Sequence, residues 1–566
     1  MDEKKPQTRE EIIKADVKEL HKLGYAQQLF REMGGFSNFA ISFSIISILT
    51  GAMILYGYGL KLSGPVINTL GWPVVSFFTI CIAASMAEIA STYPTAGGLY
   101  YWASRLGGIG WGWFTAWMNM IGQITITAGI DIAAAIYFVG LFTKAFGLDP
   151  STPVFGGLFG WTMTSWGFYI FIMFLLMIPQ VLINAFGIKL TAKLNDFSVW
   201  WHVGGVVIIA LLLTILGKYH NSWEFMTTYV NTVTPYDMSS ATFPDGTYGP
   251  ALYLGNIIIP SPLFALFPSM TTLYQMAPFA LVFALALLQA QWTYTGYDAS
   301  AHVAEETVLA RLNSAWGVFL SVAVSAVVGY IVLLALTWAI PNGDIAATAL
   351  DPYPVLYIAY NNLSPFLGNV VGVIVFGGMW LCGLSSITSM SRMWFAFGRD
   401  RGMPFSKLFC DIHPRWRTPV KSIIITTVLA ILSCVWSAAY WVVIAISTIT
   451  LYPAYTIPTF LNLRNKLRKR GEYTTREKSP WFLKGWGPVI NFIAVVWTIF
   501  ICFLFMMPPS ELALWSMVII WALLAIYWWA WARKNFKGPQ KASEEELRRI
   551  EEELERLAHA PAHSSD

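Results

Sequence analysis

In the stretch SIISILTGAMILYGYGL (44–60), Thr50-Gly51-Ala52 interrupts an apolar run long enough to cross a bilayer, and chemistry is expected first at that interruption. A helix broken inside lipid is tolerated only where protein or a water-filled cavity satisfies the freed backbone groups. The half-helix restarting at Thr50-Gly51-Ala52 aims unbonded N–H groups and a positive dipole end inward, which suits a carboxylate. The carbonyls left behind, from about Ile48, suit an ammonium or a cation. Gly57 and Gly59 offer a rival break one to two turns on, and small residues of this kind also serve close helix packing. A second run, ALLQAQWTYTGYDASAHVAEET (286–307), is likewise interrupted near its middle, by polar residues and Gly296. Two broken helices at corresponding places are the signature of an inverted-repeat transporter with a midplane site.

Ionisable side chains inside apolar runs are costly and are functional candidates by default. His202 can titrate near neutral pH and so couple proton binding to helix closure, or simply bond a backbone carbonyl. Asp298 and His302, at i and i+4, share one face of the inner half of the second broken helix and suit a gate or a proton-relay pair. Glu305 and Glu306 follow, sorted to the same side as Arg105 and Arg311, where they form a salt-bridged gate or ordinary interfacial charges. Asp131 is expected to read a cationic substrate, line an external vestibule or cap a polar cluster. Asn119 and Gln123, one turn apart on one face, line the site or act as interhelical glue. The hydroxyls of GLSSITSMSR (Ser385, Ser386, Thr388, Ser389) offer hard oxygens to a sodium ion, or bond back to their own turns. A sodium there and a charged His202 exclude each other, because both place a positive charge in one location.

These residues need a membrane scaffold. The chain has 566 residues, 56% hydrophobic and 12% charged, with mean hydropathy +0.55. At roughly 20 apolar residues per crossing, about twelve spans lie between Phe39 and Ala532. They are placed at 39–61, 73–93, 110–143, 167–188, 196–217, 278–302, 314–340, 366–396, 420–439, 441–462, 485–507 and 511–532. The fold class is an all-α polytopic membrane protein. Its parts are a cytoplasmic N-terminal segment (1–35), a transmembrane domain (36–532) with an external loop (218–277), and a cytoplasmic tail (533–566). With twelve helices, every Lys and Arg except Lys61, Lys144 and Lys218 falls on one side, which predicts a cell-membrane protein with both termini cytoplasmic. The net charge of +4 thus reports topology and not nucleic-acid binding.

The N-terminal segment is expected to be a short helix and a solvated leader ending at Gly34-Gly35, with no cleavable signal. The tail SEEELRRIEEELERLAHA predicts a surface helix. Within the external loop, LGNIIIPSPLFALFP is apolar but too proline-rich for a membrane helix, and is read as a lid or re-entrant element. The five cysteines show no paired spacing, so no disulfide framework is expected. There is no phosphate-binding loop and no metal-spaced cluster, so direct ATP coupling, cofactors and soluble catalysis are not expected.

YPTAGGLYYWASR (93–105), GYDASAHVAEET (296–307) and SRMWFAFGRDRGMP (391–404), in this order, resemble the amino acid-polyamine-organocation permeases, most closely the amino acid/choline transporter branch. The resemblance runs from about residue 36 to 532. It implies a leucine-transporter-like fold, five plus five inverted helices and two C-terminal ones. It further implies a substrate carboxylate on the amides of Gly51 and Ala52, the amine on carbonyls near Ile48, Trp292 and Thr295, and Trp292 as an aromatic gate. The family's usual Gly-X-Gly reads Thr50-Gly51-Ala52 here. Aligning GIKLTAKLN with proton-coupled relatives places His202 where some carry a lysine beside the first and eighth helices.

The expected function is a secondary transporter, not an enzyme, moving an amino acid or related small amine by alternating access with a proton as coupling ion. Sodium symport or exchange of the same substrates is the alternative. A polytopic enzyme or sensor that binds an amine without moving it is the reading from another class.

Overall fold

The computed structural model describes residues 8–254, 257–435, 439–469 and 479–559. Helices stand at all twelve expected positions. Among the described residues, ten are long and apolar enough to span a membrane. The sixth is a bent pair, Ser269–Met276 and Phe279–Thr293, at 83°, and the ninth is the shorter apolar helix Val420–Ser433. The third span, Ile109–Phe146, and the eighth, Pro365–Arg399, are the longest. They pack on each other, and the third also packs on the tenth, Ala439–Leu467. The first span, packed on the seventh, fifth and eighth, is 89% buried whereas the twelfth is 17% buried, so the broken helix is interior and the last one faces outward.

Both interruptions are real breaks. The first span runs Gly35–Ile46, turns at Ser47 with a positive φ of 32°, and restarts as Gly51–Ile54 and Tyr56–Ser63. Gly57 and Gly59 lie inside that last helix and serve packing, Gly57 against Pro354 and the Ala349 carbonyl, Gly59 against Gln289. The sixth span stops at Thr293 and resumes as Ala299–His302, with Gly296 at φ 87° in the gap. That left-handed backbone favours glycine, and a Cβ at Gly296 would also meet Ile45 of the first span.

The N-terminal segment departs from the solvated leader expected of it. Its helix, Arg9–Leu23, starts at a Thr8/Glu11 capping box and ends at Gly24, but Tyr25, Leu29 and Met33 beyond it are buried. Gln27 Nε2 donates to the Glu305 carbonyl, Arg31 Nη1 to those of Ala304 and Thr307, and Met33 N to that of Glu306. The physical reason is the sixth span's ragged end: its carbonyls need donors, and this segment brings them along with an apolar stripe. The tail helix forms at Glu544–His559.

The loop after the fifth span is ordered. Strands Ser240–Thr242, Tyr248–Leu254 and Ile257–Pro260 form an antiparallel sheet in that sequence order. LGNIIIPSPLFALFP becomes the third strand and the short helix Pro262–Leu266, apart from Gly255 and Asn256, which lie outside the described residues. Glu511, opening the twelfth span, accepts from Ser261 Oγ and Leu263 N and ties the loop down.

Candidate substrate and coupling site

The two breaks face each other across a small cavity. It is lined by Ile45, Ile46, Thr50 and Gly51 of the first span, Ile126 and Ile130 of the third, and Trp292, Thr293 and Thr295 of the sixth, and its volume is only about 10 Å³. No charged side chain lines it. Thr50 N and Gly51 N both turn back to Ser47 O, at 2.7 and 3.2 Å. The amides that reach no carbonyl of the first half are therefore those of Ala52 and Met53, one residue later than the expected pair Gly51 and Ala52. Ile48 does not line the cavity; its side chain packs near Gly329 of the seventh span, and Ile46 takes its place. Thr295 Oγ1 donates to the Trp292 carbonyl at 2.6 Å, and Trp292 Nε1 donates to Ser447 Oγ at 2.9 Å, which fixes the indole against the third span at Gly129.

His202 reaches the first break. Its Nε2 lies 2.8 Å from Ser47 Oγ, and Ser47 Oγ lies 2.6 Å from Thr50 Oγ1. Nδ1 lies 2.8 Å from the Ser198 carbonyl one turn back, so Nδ1 carries a hydrogen. Nε2 faces a hydroxyl, which can donate to it, and a neutral ring is fully satisfied here. The eighth span passes beside it at Gly378. A chain of hydrogen bonds thus connects a titratable ring to Thr50 in the cavity wall.

On the other side of the sixth-span break the polar groups converge on Asp298. Asn119 Nδ2 and Gln123 Nε2 donate to its Oδ2 at 2.8 and 3.0 Å, Tyr455 Oη donates to Oδ1 at 3.1 Å, and His302 Nε2 lies 3.0 Å from Oδ2. Gly296 N donates to the same Tyr455 oxygen at 3.0 Å. Asn119 and Gln123 therefore hold this carboxylate and do not line the cavity. One turn further, Glu306 pairs with Arg392 at 3.2 Å and Glu305 with Arg399 at 2.9 Å. The glutamates' partners are these two arginines of the eighth span; Arg311 turns to the Ser91 carbonyl.

Asp131 is buried, and its Oδ1 accepts from Gln180 of the fourth span at 2.9 Å; it neither lines the cavity nor opens on a vestibule. Three of the four eighth-span hydroxyls bond away from the first span, and the fourth, Ser389, is buried with its Oγ unpartnered. Ser385 donates to Asn195 and to Leu381 O, Ser386 pairs with Thr127 at 2.7 Å, and Thr388 donates to Asn184 at 2.6 Å. The side chain of the eighth span that reaches the first break is Cys382, whose thiol donates to Ile45 O at 3.3 Å.

Sequence reasoning missed Ser47, Tyr455, Cys382 and the two arginines. The arginines carried a signal, since Arg392 and Arg399 are seven residues apart, two turns along one helix face. Tyr455 sits between Pro453 and Pro458 inside the tenth span, a place where backbone irregularity is bought with nearby polar groups.

A family model described as amino acid permease matches residues 33–531. Amino-acid permease BAT1 of Arabidopsis thaliana is 32% identical over 544 residues, covering 92% of this chain and 95% of the plant protein. Its homolog in Oryza sativa subsp. japonica is 30% identical, over 92% and 94% of the two chains. The GABA-specific permease of Saccharomyces cerevisiae is 24% identical, over 92% and 85%. Among solved structures, MhsT in complex with L-phenylalanine superposes with a TM-score of 0.52 at 16% identity, over 83% of this chain and 97% of that one, a likeness of fold.

Proposed function

We propose, from the premise that this chain belongs to the amino acid permease family, that it moves neutral amino acids by alternating access and draws on a proton gradient. Family membership makes it a multi-pass amino acid transporter and not an enzyme. The observation that carries the finer reading is the small cavity lined by both breaks. The amides of Ala52 and Met53, next along the chain from the lining residues Thr50 and Gly51, suit the substrate carboxylate, carbonyls at the sixth-span gap suit the ammonium, and Ile126, Ile130 and Trp292 form an uncharged wall for the substrate's side chain once the breaks part. The absence of a charged residue among the cavity-lining side chains disfavours cationic substrates.

The proton is favoured over sodium by the groups around the first break. Three of the four eighth-span hydroxyls, those of Ser385, Ser386 and Thr388, are engaged with the fifth, third and fourth spans, and the buried Ser389 Oγ meets no partner, whereas His202 connects through Ser47 to Thr50. Protonation at Nε2 would turn His202 into a donor, reverse the Ser47 hydroxyl toward Thr50, and alter the cavity wall. The face bearing both termini is taken as cytoplasmic, from the Lys and Arg distribution.

The test is uptake into proteoliposomes of labelled neutral and cationic amino acids, GABA and choline, under an imposed proton or sodium gradient, with His202→Ala alongside. A neutral amino acid should accumulate with the proton gradient alone, and His202→Ala should lose accumulation while retaining exchange. Accumulation driven by sodium alone, or by protons in the variant, would refute the coupling assignment. Binding without counterflow would leave a sensor.

A further inference from the structure

The structure assigns a second proton-binding site to this chain, the Asp298–His302 pair, which holds one proton while the inner gate is closed and gives it up when the gate opens. The assignment rests on the transporter reading, but its geometry is independent of His202.

His302 Nδ1 lies 3.1 Å from the Ala96 carbonyl, an acceptor only, so Nδ1 carries a hydrogen. Its Nε2 lies 3.0 Å from Asp298 Oδ2. With no proton between these atoms, a nitrogen lone pair would face a carboxylate at hydrogen-bond distance, which is repulsive. One proton in the contact removes the conflict, whether it is drawn on nitrogen or oxygen, and leaves the pair neutral overall. His202 differs in kind, because its Nε2 meets a hydroxyl that donates or accepts.

The surroundings fit a site that is loaded in one state only. Facing groups on the first span are Asn38 and Ser42, both bonded to Ser300, and on the third span Asn119 and Gln123; all are uncharged. The tenth span presents Tyr455, whose ring packs on Tyr297. The charged neighbours are Glu305 and Glu306, each already paired with an arginine of the eighth span. The amide oxygens of Asn119 and Gln123, both buried, have no partner, so the cluster is short of hydrogen donors. Every partner of the pair lies outside the inner half-helix Ala299–His302. Swinging that half-helix away to open the gate breaks the Ala96, Asn119, Gln123 and Tyr455 contacts together and admits water. The N–H bond at Nε2 then breaks and the proton passes to water, leaving a neutral imidazole and a hydrated carboxylate. Because Tyr455 also holds Gly296 N at the break, loading of the site is linked to the segment that closes over substrate.

The experiment compares wild type with Asp298→Asn in proteoliposomes, counting protons with an entrapped pH dye against labelled amino acid entering. The asparagine amide donates to neutral His302 without a proton from solution, so the ratio should fall by one proton per amino acid carried, whatever the rate of transport. An unchanged ratio, or no proton movement in wild type, overturns the assignment and leaves transport standing. Absence of wild-type counterflow instead overturns the transporter reading. Should Asp298→Asn fail to fold, Tyr455→Phe removes a single donor to the carboxylate and should shift the pH dependence of counterflow; an unshifted profile again overturns the assignment.

Discussion

Gly51→Ala tests whether the two breaks must touch for the closed state to form. A Cβ at Gly51 would stand 2.5 Å from Thr293 Oγ1 and 2.7 Å from Thr293 Cα. Carbon atoms rest at about 3.5–4.0 Å, and the Cα cannot rotate aside, so the spans must part by about 1 Å. Overpacking of this kind costs about 1–3 kcal/mol. The cost falls on the closed state, in which the breaks meet, and not on states in which they separate, so closure around substrate should weaken by about 5- to 150-fold. Uptake kinetics in proteoliposomes should then show a raised KM, and thermal unfolding should show a smaller stabilisation by substrate. Thr293→Ala added to Gly51→Ala removes the hydroxyl clash but not the Cα clash, so rescue should be partial. Gly34→Ala is the control, because nothing lies within 4 Å of its added Cβ. Unchanged KM and unchanged substrate stabilisation in Gly51→Ala would refute the reasoning.

Arg392→Gln leaves Glu306 buried without its cation, and loss of one partner of a buried pair should lower stability by about 3–5 kcal/mol in thermal unfolding. Adding Glu306→Gln should recover part of that loss. Ser447→Ala strands the buried Trp292 Nε1 and should cost about 1–3 kcal/mol, read as weaker substrate binding with stability of the rest retained. Glu511→Ala frees Ser261 and Leu263, and limited proteolysis should then cut the 218–277 loop faster than in wild type.

The positions of the apolar helices and both breaks could be read from the sequence because each rests on local composition: apolar runs set helices, and Thr50-Gly51 and Gly296 mark where such runs fail. The partners of the site could not, since they depend on which helices meet. Asn119 and Gln123 share a face, as their spacing requires, but which side of the third span meets the cavity is set by packing against the sixth and tenth spans. The N-terminal segment was misread for a related reason. Its charges look like a solvated leader, and only the ragged end of the sixth span explains why Gln27 and Arg31 are drawn in to carbonyl oxygens. Glu305 and Glu306 sort to one side together with Arg105 and Arg311, but sorting by side says nothing about distance, and the arginines they meet are Arg392 and Arg399 of the eighth span.

The two breaks are bound in parallel ways, and this constrains how the protein can work. At the first, the unwound backbone turns at Ser47, whose hydroxyl meets His202 of the fifth span. At the sixth, Gly296 N meets Tyr455 of the tenth span, which also holds Asp298 and through it His302. In five-plus-five numbering the fifth and tenth spans are counterparts, as are the first and sixth, so each broken helix is held by the same member of its own repeat. Each attachment ends in a titratable group. A change of charge at either place therefore acts on a break directly, with no need for a signal through intact helices, and the cavity between the breaks registers both. His202 is satisfied as a neutral ring, whereas on the proposal above the Asp298–His302 contact takes up one proton, so the two places would differ in the state that loads them. Such an offset is what a carrier needs if proton binding and release are to fall on opposite halves of its cycle.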